Sequence, residues 1–379
     1  MKYIDEYRDG RIAQTFARQI AGEVKAGASY RLIEFCGGHT HAISRFGIAD
    51  LLPANVRMIH GPGCPVCVLP VGRIDMAIGL AIRPEVTLCT YGDLMRVPGS
   101  QGASLLKTKA AGADIRMVYS TLDAVRIAEA EPSREVVFFA IGFETTTPPT
   151  ALAIRLAAAK GLKNFSVFCN HVLTPAAIQS ILESPEVRTL GRVRVDGFIG
   201  PSHVSTIIGT QPYEFFAEEF GKPVVVTGFE PLDVLQAILM LVRQVNEGRH
   251  EVENQYVRAV TRDGNAIAKR EVAEFFEPRK SFVWRGLGVV PYSGLRLKQA
   301  YAAFDAELRF ELADAGGEDN PACECGAILR GVKTPTECKL FGKLCTPDTP
   351  MGSCMVSSEG ACAAHWTYGR FRDRARSAA

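Results

Sequence analysis

Through its first 250 residues the chain alternates short β-branched or aromatic runs with helical patterns, and that alternation restricts the fold more than any other feature. Strands are expected at Tyr30–Phe35, Val56–His60, Val86–Leu88, Ile115–Tyr119, Val136–Ile141, Phe165–Phe168, Gly197–Ile199 and Pro223–Thr227. Helical patterns lie between them, as at Gly72–Ile82, Leu122–Glu129, Ala151–Ala159 and Leu232–Val245. Such alternation argues for parallel sheets of the α/β class. Eight strands could close one barrel, but two smaller open sheets fit better. The reason is a local echo: Val136–Glu144 reads VVFFAIGFE and Val224–Glu230 reads VVVTGFE, each a buried strand, Gly-Phe-Glu and then a helix. From about Glu251 the alternation fades and Gly- and Pro-bearing loops lead to a cysteine-rich tail. The expected organisation is two similar open parallel-sheet domains, residues 25–130 and 131–250, the second carrying both Gly-Phe-Glu motifs. A third, less regular domain over 251–379 follows, with the N-terminal helix (1–24) packed on it.

Composition removes several classes of function. Apolar residues make up 47% and charged residues 22% of the 379, which excludes a disordered or fibrous chain. A net charge of +2 gives no electrostatic footprint for nucleic acid. The longest apolar helical run, Val234–Val245, is interrupted by Gln236, Arg243 and Gln244 and is too short for a bilayer, so no membrane contact is expected. Met1–Arg18 is charged throughout and lacks the apolar core of a signal peptide, so a cytoplasmic protein is expected.

Open parallel sheets bind ligands outside the carboxyl ends of their strands, and here the sulfur-bearing and polar residues gather at those ends. Cys36-Gly37-Gly38-His39-Thr40-His41 follows the first strand and Gly61-Pro62-Gly63-Cys64-Pro65-Val66-Cys67 the second. Glu144, Cys169-Asn170-His171, Ser202-His203 and Glu230 follow later ones. Strand ends need Gly and Pro to turn, which accounts for the glycines but not for the Cys, His and Glu beside them. Cys36 at a helix start gains from the positive end of the dipole, which favours its thiolate. His39 is placed to be a second ligand, a base or a cationic neighbour. Cys64 and Cys67 form a C-x-x-C pair suited to a reversible dithiol or to metal ligation, and the proline between them restrains the loop. Cys89 and Cys169 read as core. Glu144 and Glu230 read as caps of helices sooner than as acid and base, and His171 and His203 as hydrogen-bonded strand-end residues that stay candidates. Neither a P-loop nor a G-x-G-x-x-G is present, so no nucleotide pocket is supported.

The tail carries the strongest chemistry. Six of the 11 cysteines (323, 325, 338, 345, 354 and 362) fall within 40 residues, where an even spread would put roughly one. Without a secretion signal, metal binding or redox chemistry explains this better than a disulfide framework. Four thiolates suit a [4Fe–4S] cubane, leaving two for a redox disulfide; zinc is the competing metal. Spacing does not choose the four.

In the order CGGHTH (Cys36–His41), GPGCPVC (Gly61–Cys67), GFETTTPPTA (Gly142–Ala151), FCNHV (Phe168–Val172), GFEPLDVL (Gly228–Leu235), CxCGxIxRG (from Cys323) and CMVSSEGAC (Cys354–Cys362), the chain resembles the HypD family of hydrogenase maturation factors. The resemblance spans nearly the whole chain. It implies two similar α/β domains plus an iron–sulfur domain, and a scaffold for the Fe(CN)2(CO) unit of [NiFe]-hydrogenases. That scaffold works with the small chaperone HypC and receives cyanide from HypE. Likeness to ferredoxin:thioredoxin reductase further implies Cys323, Cys338, Cys345 and Cys362 as [4Fe–4S] ligands and Cys325 with Cys354 as the redox pair. Cys36 then holds the assembling iron with His39 nearby, and Cys64 and Cys67 relay electrons. The alternative from the residues themselves is a free-standing iron–sulfur thiol/disulfide oxidoreductase.

Overall fold

The computed structural model describes residues 4–184, 194–313 and 316–370. All eight expected strands are present, and they fall into two all-parallel sheets. The first sheet takes β1 (Tyr30–Glu34), β2 (Val56–His60), β7 (Gly197–Gly200), β8 (Val224–Val226) and a ninth, unexpected strand, β9 (Val252–Asn254), in the order β2-β1-β7-β8-β9. The second takes β3 (Val86–Thr90), β4 (Ile115–Met117), β5 (Glu135–Gly142) and β6 (Phe165–His171) in the order β4-β3-β5-β6.

Parallel sheets need cover on both faces, and the side-chain alternation shows that cover. Val137, Phe139 and Ile141 of β5 enter one apolar cluster, while Val136, Phe138 and Ala140 enter another. In the first sheet Tyr30 and Leu32 face one cluster and Ile33 faces the other. A one-residue slip in either sheet would exchange its two cores.

Three expectations about organisation are corrected. First, the boundary at residue 130 is not a sheet boundary: residues 30–60 pair with 197–254, and the second sheet (86–171) is inserted between them. Second, the two Gly-Phe-Glu motifs are not in one domain. One follows β5 in the second sheet and the other β8 in the first, at non-equivalent places in the strand order. Third, the N-terminal helix Gly10–Glu23 packs on helix Pro231–Glu247 beside the first sheet, not on the tail. Its Ile20 is buried with Tyr30, Leu32 and Val234.

Residues 252–254 belong to the first sheet, and two two-stranded antiparallel sheets follow. In them β10 (Phe276–Pro278) pairs with β13 (Leu295–Leu297), and β11 (Ser281–Trp284) with β12 (Gly288–Pro291). The cysteine-rich tail has no strand among its described residues. Its Cys325, Ile328, Cys345, Cys354 and Cys362 share one apolar cluster with Cys64, Val66 and Cys67. No helix among the described residues is long and apolar enough to cross a membrane.

Candidate functional site

Each sheet has one place where the strand order reverses, between β1 and β7 in the first and between β3 and β5 in the second. At such a point the loops leaving neighbouring strands diverge and open a crevice. The two crevices face each other. They bound one cavity of about 510 Å³ that holds Cys36 and His203 from the first sheet, with Tyr91–Leu94 and Ile141–Phe143 from the second. Pro65 and Val66 of the C-x-x-C loop and Ser357–Glu359 of the tail complete the wall.

Cys36 is the residue before helix Gly37–Phe46 and is 7% exposed. Its N–H donates to Glu34 Oε2 at 3.0 Å. Glu34, fully buried at the end of β1, also accepts from Thr40 Oγ1 and lies 3.0 Å from His60 Nδ1. The next residue ties the two cysteine motifs together, because Gly37 N–H donates to Gly63 O at 2.8 Å. Cys36 was expected as a favoured thiolate, and this is corrected. Burial pushes the thiol up to about 12, and the carboxylates of Glu359 and Glu34 push the same way, against backbone N–H donors of Gly38 and His203. The dipole of a ten-residue helix is outweighed by desolvation and two anions.

Glu359 is the residue that reading along the chain missed. Its side chain lies against Gly37, and its carboxyl is pushed up to about 7, first by burial and then by Asp93 and Glu34. The signal was present only as the lone acid inside CMVSSEGAC. Glu34 was missed as well; its signal was a carboxylate beside Leu32, Ile33 and Phe35 at the end of β1.

His39 is fully buried. Its Nε2 lies 3.0 Å from Gly228 O and 3.3 Å from Thr227 O, so that nitrogen carries the proton and donates to the end of β8. Burial lowers its pKa, leaving a neutral ring packed on Phe229. Phe229 also contacts His203, with ring centroids 4.4 Å apart. Cys64 and Cys67 form a disulfide, 3% and 0% exposed, with Cα atoms 5.2 Å apart, behind the cavity wall. Ser353 of the tail donates its hydroxyl to Cys67 O at 2.8 Å. Cys89 and Cys169 are buried in the second sheet's core.

The tail thiols gather unequally. Cys325 lies between Cys323 and Cys362, and the Sγ atoms of Cys323 and Cys325 both border Gly352. Cys345 and Cys354 are near enough for their charge to bear on Cys362. Cys338 packs at the edge of the same cluster, with its thiol beside the Glu324 carboxylate. Among the described residues no three His, Cys, Asp or Glu side chains are preset in metal-ligand geometry. The donor set nevertheless suits a thiolate-held group. It is soft and mostly buried, and Gly352 leaves it room: a Cβ there would sit 2.6 Å from Cys325 Sγ.

The two glutamates after β5 and β8 have separate structural roles. Glu230 pairs with Arg8 and starts helix Pro231–Glu247. Glu144 accepts from Thr174 N–H at 2.8 Å and Thr174 Oγ1 at 2.9 Å, tethering the start of helix Thr174–Glu183. Burial pushes the Glu144 carboxyl up to about 7, against the Thr174 donors. The folded chain therefore holds this proton more tightly than the unfolded one. The resulting stability is complete below the unfolded carboxyl range and is lost as pH rises through about 7. Between about pH 5 and pH 8 the wild type is expected to lose on the order of 3 kcal/mol relative to Glu144→Gln, read by calorimetry. Parallel pH profiles for the two proteins would refute this.

Comparison with known proteins gives one consistent result. The HypD profile, described as the hydrogenase formation hypA family, matches residues 11–369. The chain is similar to the hydrogenase maturation factor HypD of Rhizobium leguminosarum bv. viciae, 76% identical over 376 residues covering 99% of this chain and 98% of the relative. It is also similar to the HypD proteins of Cupriavidus necator (67% over 373 residues, 98% of each chain) and Escherichia coli K12 (48% over 377 residues, 97% of this chain and 98% of the relative).

Proposed function

We propose that this chain, which belongs to the HypD family of hydrogenase maturation factors, is the scaffold on which the Fe(CN)2(CO) unit of [NiFe]-hydrogenase is assembled. The iron is cargo, held between this protein and the chaperone HypC while HypE delivers cyanide. The observation that carries this reading is the single cavity in which Cys36, His203 and Glu359 meet at two opposed strand-order reversals.

Cys36 is the ligand on this side. A soft thiolate suits low-spin iron that already bears cyanide and carbon monoxide. The neutral, buried thiol is inert until a cation displaces its proton, as coordination does to thiols generally. Glu359, pushed up to about 7 beside it, is the acceptor: the S–H bond of Cys36 breaks and an O–H bond forms on the Glu359 carboxylate. His203 faces the same space as a second donor, and His39 holds the β8 end in place through its Nε2–H.

The tail cysteines Cys323, Cys338, Cys345 and Cys362 would hold a [4Fe–4S] cluster, with Cys338 turning from Glu324 to join the others. When bound, that cluster supplies one-electron chemistry. Cys325 and Cys354 form the dithiol that passes two electrons and two protons to the Cys64–Cys67 disulfide by thiol–disulfide exchange. The contact between Ser353 and Cys67 supports this order, since Cys354 is the next residue. The same contact also favours a second reading, a free-standing thiol/disulfide oxidoreductase.

The test is anaerobic co-purification with HypC followed by infrared spectroscopy. The scaffold gives a stable pair with iron bound beyond the tail group and bands in the cyanide and carbonyl stretching regions. A chain that binds neither partner nor cargo, and reduces small disulfides alone, belongs to the second reading.

A further inference from the structure

Arg285 occupies the turn of the β11–β12 hairpin and is 4% exposed. Its Nε, Nη1 and Nη2 are buried and make no hydrogen bond. Asp319 Oδ1 lies 3.1 Å from Nε but outside hydrogen-bond geometry, and the Asp319 side chain is 49% exposed. Burying a guanidinium with its donors unused is expensive unless an anion takes them.

The position of this turn indicates which anion. Arg285 N–H donates to Val68 O at 2.7 Å, directly after Cys67. Gly286, at φ +84°, backs onto the start of helix Cys325–Leu329 so closely that a Cβ would sit 2.8 Å from Gly326 Cα. Arg330 Nη1 fastens the turn by donating to Gly286 O. Asp319 links Arg285 to Cys323, because its charge bears on that thiol. The turn that carries the guanidinium is therefore packed between the residue after Cys67 and the residue after Cys325, so its backbone neighbours on both sides belong to cysteine motifs.

We propose that Arg285 is a positioning residue for the tail sulfur centre, supplying its buried hydrogen-bond donors and counter-charge. The inference rests on the reading of the tail as an iron–sulfur site. A cube of iron and sulfide held by four thiolates is anionic and becomes more so on reduction. Hydrogen bonds to its sulfurs and a nearby fixed cation stabilise the reduced form most, so Arg285 raises its reduction potential. A planar fork of five donors meets several sulfurs at once, which lysine cannot do.

The experiment uses the full chain, reconstituted anaerobically with iron and sulfide. Iron and sulfide content, reduction potential by spectroscopically monitored titration, and iron loss to a chelator are the readouts. Arg285→Gln is expected to shift the potential downward and to release iron about tenfold faster, the scale typical of outer-sphere partners of metal ligands. Arg285→Lys shifts it less, in the same direction. Asp319→Asn, at a half-exposed position, frees the guanidinium from the carboxylate beside it and shifts the potential upward even if Arg285→Gln fails to fold. Wild-type potential and release rate in every variant that folds overturn the role of Arg285. A wild-type chain that takes up no iron and sulfide overturns the underlying reading of the tail, and this inference with it.

Discussion

Cys36→Ala is expected to abolish retention of the iron cargo while leaving the fold and the tail centre intact. Loss of one sulfur from a site 7% exposed leaves a gap of a single heavy atom, a cost of roughly 1 kcal/mol. The backbone N–H of residue 36 still reaches Glu34, so the start of the helix survives. What disappears is the soft donor, and the drop in affinity should exceed the 10–100-fold that loss of an outer-sphere partner costs. The measurement is the infrared spectrum of the anaerobically isolated HypC complex: cyanide and carbonyl bands present in wild type and absent in the variant. Glu359→Gln provides the internal comparison. It keeps the shape of the wall and removes the proton acceptor, so the bands should form more slowly yet reach the same positions. Bands of wild-type intensity in Cys36→Ala would remove Cys36 from the role of ligand.

The elements were legible because burial in a parallel sheet writes itself into the chain as continuous apolar runs. Val136–Ile141 has no polar residue, and both of its faces are covered. The partition of strands between sheets was not legible. Whether the four residues of β7 pair with β1 or with β6 depends on packing of elements far apart in sequence, and the Gly-Phe-Glu echo suggested a neighbour relation that the strand order does not have. β9 escaped notice because Val252–Asn254 has one apolar residue in three. The site divided in the same way. Cys36 and the C-x-x-C loop were identifiable from their strand-end position, since a strand end is a local property. The protonation of Cys36 was not, because it is set first by burial and then by Glu359, more than 300 residues away in the chain. Helix-start reasoning sees the dipole but cannot see an anion delivered by another segment.

The largest contrast is expected within the tail. Alanine at Cys323, Cys345 or Cys362 should leave a colourless protein, with loss of absorbance near about 400 nm and of bound iron and sulfide, because each removes one of four thiolates. The discriminating pair is Cys325 and Cys338. In the protein as it stands, Cys325 lies between two other thiols and Cys338 lies beside a carboxylate. Proximity alone would make Cys325 a ligand. The physical argument against proximity is that protonated thiols attract one another through S–H donors, whereas thiolates around a cation repel and spread to the corners of a tetrahedron. Cys325, sandwiched between Cys323 and Cys362, is the one such repulsion would expel. Cys338, on an exposed turn held by Glu324 and Lys333, has a side chain free to swing inward. Cys325→Ala is therefore expected to keep iron and sulfide at wild-type content but to lose reduction of the Cys64–Cys67 disulfide, and Cys338→Ala to lose the group. Iron analysis together with thiol counting separates the two. Retention of the group in Cys338→Ala, with its loss in Cys325→Ala, would exchange the two assignments and remove the dithiol that feeds the C-x-x-C pair.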